Sequence, residues 1–524
     1  MDAPFVSFLM GLIASFSSVG MAQPDELLTV AESSDYEATA SYDEVMLLVS
    51  RIEAQAPHIA ATDFGTSFEG RRLPLLVVAD PPIRTPAEAR ASGKLVVFAM
   101  GNIHAGEVCG KEALLMLARE LALNPDHPWL DEMVLLIAPI YNADGNERFS
   151  VENRPGQLGP ARGMGQRPNA QGLDLNRDYI KLESPEARAL VRLLTDWDPH
   201  LTIDTHTTNG SRHRYVLTFD APLNPSGFKP SIEFVRDELL PQVSQRLRDR
   251  TGYATFFYGN FDEKHSTWAT YSPLPRFGAS YQGLRGQMTI LSEAYSYAPY
   301  RDRVLATLEF TREIIDFAEE HAVRIRELHR RARSETIDAG VAPQPDDVIG
   351  IRHTIAAWPT PVTVAGFAAD SDEPVDYQVA HLGRFEPTKS VSRPFGYLLP
   401  PEASAIVDKL REHGVEVEPF DGDAEVEIYR IDSIERAERA FEGHRLVRLD
   451  TTARREARHY PSGSVWVPTA QPLGTLVVYL LEPESEDGLA AWNFFDQLIE
   501  IGADYPVARV TGPDAFETAR SPAR

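Results

Sequence analysis

Leu95-Val96-Val97-Phe98-Ala99-Met100 runs straight into Gly101-Asn102-Ile103-His104-Ala105-Gly106-Glu107. A continuous apolar run that ends at a glycine reads as a strand buried on both faces. The apolar spacing that begins at Glu107 predicts a helix over 107–122. At the junction between them, His104 and Glu107 stand three residues apart, so an imidazole and a carboxylate can grip one metal ion from one side. A zinc site of the hydrolytic kind needs a third protein ligand and leaves the fourth position to water. The apolar run 201–205 ends at His206, which can supply that ligand, and two imidazoles with one carboxylate suit zinc.

The same alternation extends to both sides. Strands are predicted at 73–78, 94–100, 133–140, 201–205 and 287–291, and helices at 44–55, 107–122, 184–197, 232–250 and 301–335. Strands alternating with helices argue for a mixed, largely parallel open α/β sheet with helices on both faces, spanning 42–335. Ligands in such sheets gather at the carboxyl ends of strands, where His104, Asn142, His206 and Glu293 all fall. Residues 337–347 break the last helix. Beyond them, 348–524 reads as a second, smaller α/β domain with strands at 362–367, 425–431, 464–467 and 473–481, and helices at 401–413 and 487–501. That domain carries no legible chemistry, and a structural or partner-binding role is expected of it.

At 524 residues, 43% apolar and 24% charged, the chain has the composition of a soluble globular protein of two or three domains. A net charge of −26 argues against nucleic acid and against anionic lipid as partners. The single cysteine, Cys109, excludes an intramolecular disulfide and reads as a packing residue. Residues 1–22 read as a signal peptide, with an apolar core at 5–16 and small residues at 20–22, although Asp2 stands where positive charge is usual. A secreted or periplasmic protein is expected, with no stable membrane insertion once that segment is removed.

A hydrolytic metal site needs a base to take a proton from water. Glu293, at the end of the apolar run 287–291, is a carboxylate placed for partial desolvation, which raises its proton affinity. In Asp174-Leu175-Asn176-Arg177, the guanidinium offers a planar fork for a carboxylate and Asn176 a neighbouring amide donor.

His104-x-x-Glu107, Asn142-Ala143-Asp144-Gly145, Asp174-Leu175-Asn176-Arg177, His206 and Glu293 follow one another in the order seen in zinc carboxypeptidases of the carboxypeptidase A class. The chain resembles that family over about residues 42–335. The resemblance implies one zinc ion on His104, Glu107 and His206, with Glu293 as the general base and Asp174 orienting a zinc histidine. It implies that Asn176 and Arg177 clamp the terminal carboxylate of a peptide substrate. The family also uses an arginine for the oxyanion; Arg167 fits the short spacing best, with Arg154 and Arg162 as alternatives. A tyrosine closes over the substrate, either Tyr271 or Tyr281, with Tyr271 preferred by spacing. Ala143 stands where the family often has proline, and the C-terminal region lacks the short all-β pattern appended to some relatives. The implied activity is metallocarboxypeptidase hydrolysis of the C-terminal peptide bond. The alternatives are a zinc deacylase or amidase of N-acyl amino acids and an inactive peptide-binding relative. The floor of the side-chain pocket is expected between 251 and 287, with Arg276 and Arg285 read as surface salt-bridge residues rather than selectors of acidic end groups.

Overall fold

The computed structural model describes residues 27–516, so the predicted signal peptide lies outside the described residues. Ten strands form in the first part of the chain: β1 (Ile59–Thr66), β2 (Arg72–Val78), β3 (Leu95–Gly101), β4 (Met133–Ala138), β5 (Leu201–Thr208), β6 (Leu217–Asp220), β7 (Thr255–Phe257), β8 (Asn260–Phe261), β9 (Thr267–Ala269) and β10 (Met288–Tyr295). All but β8 and β9 join one sheet in the order β1-β2-β4-β3-β5-β10-β6-β7. Its centre, β4-β3-β5-β10, is parallel. All seven residues of β3 are buried, as expected for a strand covered on both faces. The helices Tyr42–Gln55, Cys109–Leu123, Leu240–Thr251 and Tyr300–Glu320 pack against one another over the sheet, and Pro185–Asp196 packs on β1. Ser184 starts that last helix by accepting the Ala187 amide.

The parallel register does the positioning. Gly101 pairs with Thr205 across β3 and β5, and His206 pairs with Glu293 across β5 and β10. Paired residues on neighbouring strands share a face about 4.8 Å apart, so the junction after β3, His206 and Glu293 are brought to one end of the sheet. Gly110 lets the helix Cys109–Leu123 lie close on β5, because a Cβ there would sit 2.0 Å from Thr205 Oγ1.

Several elements differ from the sequence pattern. Both β5 and β10 run three or more residues further than expected, so His206 and Glu293 lie within strands rather than after them. The single helix expected at 301–335 is two, Tyr300–Glu320 and Ala322–Val341. His321 breaks it: its Nδ1 lies 2.9 Å from the Phe317 carbonyl and its ring stacks on Phe317.

The C-terminal stretch adds β11 (Val348–Ala356), β12 (Val362–Phe367), β13 (Pro374–Leu382), β14 (Arg384–Ser392), β15 (Gly396–Leu399), β16 (Glu418–Arg436), β17 (Val447–Pro468) and β18 (Ala508–Val510). Strands β15-β17-β16-β18 close a small barrel, and β12-β13 pair with β9-β8 of the first part. One hydrophobic core runs through both stretches. The helix expected at 401–413 forms over Ser404–Glu412. The strand expected at 473–481 is instead the fully buried helix Gly474–Leu481, a case in which an apolar run has no period to separate strand from helix. Residues 487–501 form turns rather than a helix, because Asp487 and Trp492 point inward to ligate Arg276. Among the described residues no helix is long and apolar enough to cross a membrane.

Candidate metal centre and substrate cleft

His104, Glu107 and His206 meet, each buried, with one donor atom apiece and all within 4.8 Å of one another. The orientation of the rings is the informative part. His104 Nδ1 lies 3.0 Å from Glu107 Oε1, and His206 Nδ1 lies 3.2 Å from Glu107 Oε2. Each imidazole is held from behind at its other nitrogen. Asp174 Oδ1 lies 3.0 Å from His104 Nε2, and Asp204 Oδ2 lies 3.0 Å from His206 Nε2. A carboxylate behind each histidine fixes the ring and raises its basicity as a ligand. Two imidazole nitrogens and one carboxylate therefore face a common point, each ring with a carboxylate oxygen 3.0 Å from its other nitrogen, a donor set that fits zinc. Asp204 was not singled out in sequence, yet Asp204-x-His206 on a strand places both side chains on one face.

The electrostatics match. Burial alone would raise the Glu107 carboxyl, but the charges of His104 and Arg154 and hydrogen bonds from both imidazoles hold it well below the ordinary carboxylate range. Asp174 is likewise driven far down against its burial, first by its hydrogen bond with His104. Glu293 goes the other way. Burial, reinforced by the charge of Glu107 and only partly offset by His206 and Arg154, pushes it up to about 8. A carboxylate so desolvated is a proton acceptor, and a divalent cation beside it would draw its affinity back towards neutrality.

His104, Glu107 and Glu293 line one cleft of about 570 Å³, together with Arg154, Arg167, Asn176, Arg177, Tyr258, Tyr271, Phe277, Gly278, Ala279 and Leu291. Arg167 holds Asp174 Oδ2 through Nε (2.9 Å) and turns Nη1 towards the ligands, 3.6 Å from Glu107 Oε1. Arg154 is occupied: it donates to Glu107 Oε1 at 2.9 Å and to the Thr207 carbonyl at 2.7 Å. Arg162 is remote and exposed, 3.7 Å from Glu37. Asn142 ties the loops together, donating to the Ile103 and Arg167 carbonyls and accepting the Gly145 amide.

Arg177 stacks on the Phe277 ring, 4.1 Å from its centroid, and spends one nitrogen on the Asn176 carbonyl. Burial lowers its guanidinium from the ordinary value, with Asp174 only partly restoring it. Asn176 Oδ1 accepts the Gly278 amide at 3.0 Å, leaving its amide nitrogen for a ligand. The two tyrosines part company. The Tyr271 hydroxyl is buried in the cleft wall without a hydrogen-bond partner, and burial followed by the charges of Asp220 and Glu293 keeps it protonated. Tyr281 does not line the cleft; its hydroxyl lies 2.8 Å from His413 Nδ1 in the seam with the C-terminal stretch. Tyr258, unmarked in sequence, lines the cleft instead. Arg276 and Arg285 are buried rather than on the surface, 6% and 5% exposed, and neither reaches the cleft. Arg276 pairs with Asp487, while Arg285 holds the His413 carbonyl. Cys109 packs behind the centre, 2.9 Å from Thr207 Oγ1.

Residues 47–211 match the family model described as zinc carboxypeptidase, a span holding His104, Glu107, Asn176, Arg177 and His206 and ending before Tyr271 and Glu293. The chain is 24% identical over 482 residues to carboxypeptidase 2 of Trichophyton rubrum, covering 85% of this chain and 81% of that protein. The first part of the chain is similar to zinc carboxypeptidases. These likenesses support a metallocarboxypeptidase, a hydrolase of peptides. Carboxypeptidase Z of Homo sapiens is 33% identical over 151 residues, 28% of this chain and 22% of that one. Among solved structures, the metallo-carboxypeptidase from Burkholderia cenocepacia matches with a TM-score of 0.40 and 15% identity, over 54% of this chain and 70% of that one. Thrombin activatable fibrinolysis inhibitor matches with a TM-score of 0.42 and 16% identity, over 59% and 81%.

Proposed function

We propose that this protein is a zinc carboxypeptidase that removes the last residue of peptides that carry a free C-terminal carboxylate, with Glu293 as its general base. The observation that carries the reading is the convergence of His104 Nδ1, His206 Nδ1 and the Glu107 carboxylate, with an aspartate oxygen 3.0 Å from each Nε2. A zinc ion on those three residues would supply Lewis-acid chemistry to the scissile carbonyl and the attacking water. The chain's own groups do the rest. Glu293, proton-avid through burial, takes the proton from the attacking water and returns it to the leaving amine. Arg167 Nη1, aimed at the ligand cluster while its other nitrogens are fixed on Asp174, steadies the developing oxyanion. Arg177 and the free amide of Asn176 receive the terminal carboxylate, so the bond cleaved is the last one. Phe277 and Leu291 line the apolar part of the space offered to the final side chain, and the unpartnered Tyr271 hydroxyl is available to the substrate.

The apolar segment 5–16 and the small residues after it favour export, to a secreted or periplasmic location. The deciding experiment is a peptide series differing only in the last residue, each with a free or amidated C-terminus, run with and without a zinc chelator. Cleavage restricted to free carboxylates and abolished by chelation is the expected result. Equal cleavage of amidated peptides would remove the role given to Arg177, and hydrolysis of N-acyl amino acids alone would turn the reading to a deacylase.

A further inference from the structure

Strands β16 and β17 are 19 and 22 residues long, several times the usual strand length. They extend out of the small barrel as one hairpin, and its tip lands behind the Asn176–Arg177 clamp. At the tip, Phe441 and His444 exchange backbone hydrogen bonds across a two-residue turn, Glu442-Gly443. Both turn residues have positive φ, 49° and 81°, the mirror-image turn in which asparagine, aspartate or glycine is favoured at the first position. A glutamate there carries backbone strain, and its side chain is put to use: Glu442 Oε2 accepts the Asp174 amide at 3.2 Å.

A second grip lies across the clamp. Arg276 is enclosed by Phe441 and Trp492 and paired through backbone amide and guanidinium with Asp487. The next two residues are Phe277, on which Arg177 stacks, and Gly278, whose amide orients Asn176. At the other end of the same loop, the Thr270 amide donates to the Leu382 carbonyl of β13. Both walls of the clamp are thus anchored to the C-terminal stretch.

We propose that the C-terminal stretch is a working part of the substrate cleft, with Glu442 as a positioning residue that fixes the Asp174–Arg177 turn for the incoming carboxylate. The inference rests on the clamp role proposed above for Arg177. It is tested on the full-length protein with Glu442→Ala, which removes the acceptor, and Glu442→Gln, which keeps an oxygen for the Asp174 amide and drops the charge. Two readouts are taken: hydrogen–deuterium exchange of the 173–178 segment, and KM and kcat on the free-carboxylate peptide that the wild type cleaves best. Glu442→Ala should accelerate exchange in 173–178 and raise KM about tenfold, the effect of one lost hydrogen bond of moderate strength, with kcat within threefold. Glu442→Gln should restore both to near wild type. Unchanged exchange in Glu442→Ala, a fall in kcat with no rise in KM, or Glu442→Gln as impaired as Glu442→Ala would each overturn it. Failure of the carboxypeptidase reading looks different: the wild type would ignore amidation, while exchange would still report whether the hairpin tip holds the turn.

Discussion

The two sides of the cleft are built by different means. On the metal side, His104 and Glu107 follow β3, His206 lies on β5 and Glu293 on β10, three adjacent strands in parallel register. Sheet geometry sets those positions, and each residue lies within a few places of a strongly apolar run. On the clamp side, Asp174–Arg177 and 270–278 are irregular segments whose shape comes from contacts with residues hundreds of positions away, such as Glu442 and Asp487. A side fixed by the sheet should respond to mutation through chemistry alone, whereas a side fixed by distant contacts should respond through affinity and through the stability of the seam.

The largest expected effect tests the metal side. Glu293→Gln keeps size and polarity but removes the proposed base. Loss of general base catalysis is worth roughly 10²–10⁴ in rate, so kcat should fall by at least a hundredfold with zinc content and thermal stability unchanged. A fall in zinc content equal to the fall in rate would mean that Glu293 supports the ligands rather than the reaction. Next comes Arg177→Ala on the clamp side. A charge-assisted contact of about 2–3 kcal/mol corresponds to roughly a hundredfold loss in kcat/KM. The loss should lie in KM, and it should vanish on amidated peptides, which offer nothing for the guanidinium to bind.

Asp204→Asn gives a smaller effect and sharpens the comparison. It leaves the three donors in place but weakens the support behind His206, and such changes typically cost 10–100-fold in metal affinity. Competition with a chromophoric chelator measures it. Affinity equal to wild type would show that the strand alone holds the ring.

This contrast also explains how far the sequence could be read. His104, Glu107, His206 and Glu293 announce themselves because apolar runs with clear endpoints place them, and a two-residue offset puts Asp204 beside His206. The class of the sheet, open and largely parallel, needs only alternation of strands and helices, whereas its strand order does not follow from that pattern. The choice between Tyr271 and Tyr281 depends on which loop the C-terminal stretch covers, and Tyr281 is withdrawn into the seam by His413. Likewise Arg276 and Arg285 look like surface charges until their partners Asp487 and the His413 carbonyl are known. Local pattern carries no information on such pairings, nor on the helix Gly474–Leu481, whose eight residues are all buried and so show no amphipathic period.

The seam offers a last test, in pH. His413 is buried between Tyr281 and Ile180; its Nδ1 accepts from the Tyr281 hydroxyl at 2.8 Å and its Nε2 donates to the Ile180 carbonyl at 3.1 Å. The first contact requires the neutral ring, and burial, helped by the charges of Lys409 and Arg285, lowers its proton affinity to about 3. A base whose folded value lies below its unfolded one contributes stability that is fully present above about 6.5 and is lost as pH falls from there towards 3. By pH 5 the loss from one such histidine is on the order of 2 kcal/mol. His200, half-buried and also lowered to about 3, and His213 and His381, each lowered to about 4, add similar slopes elsewhere in the fold. His413→Gln can keep an acceptor for Tyr281 and a donor for Ile180 without titrating. Its Tm at pH 7.5 should drop modestly through imperfect packing, yet its further fall between pH 7.5 and 5 should be smaller than that of the wild type by about a quarter. Parallel Tm–pH curves for the two proteins would show that the ring titrates without strain, and that the seam holding the clamp side is indifferent to its charge.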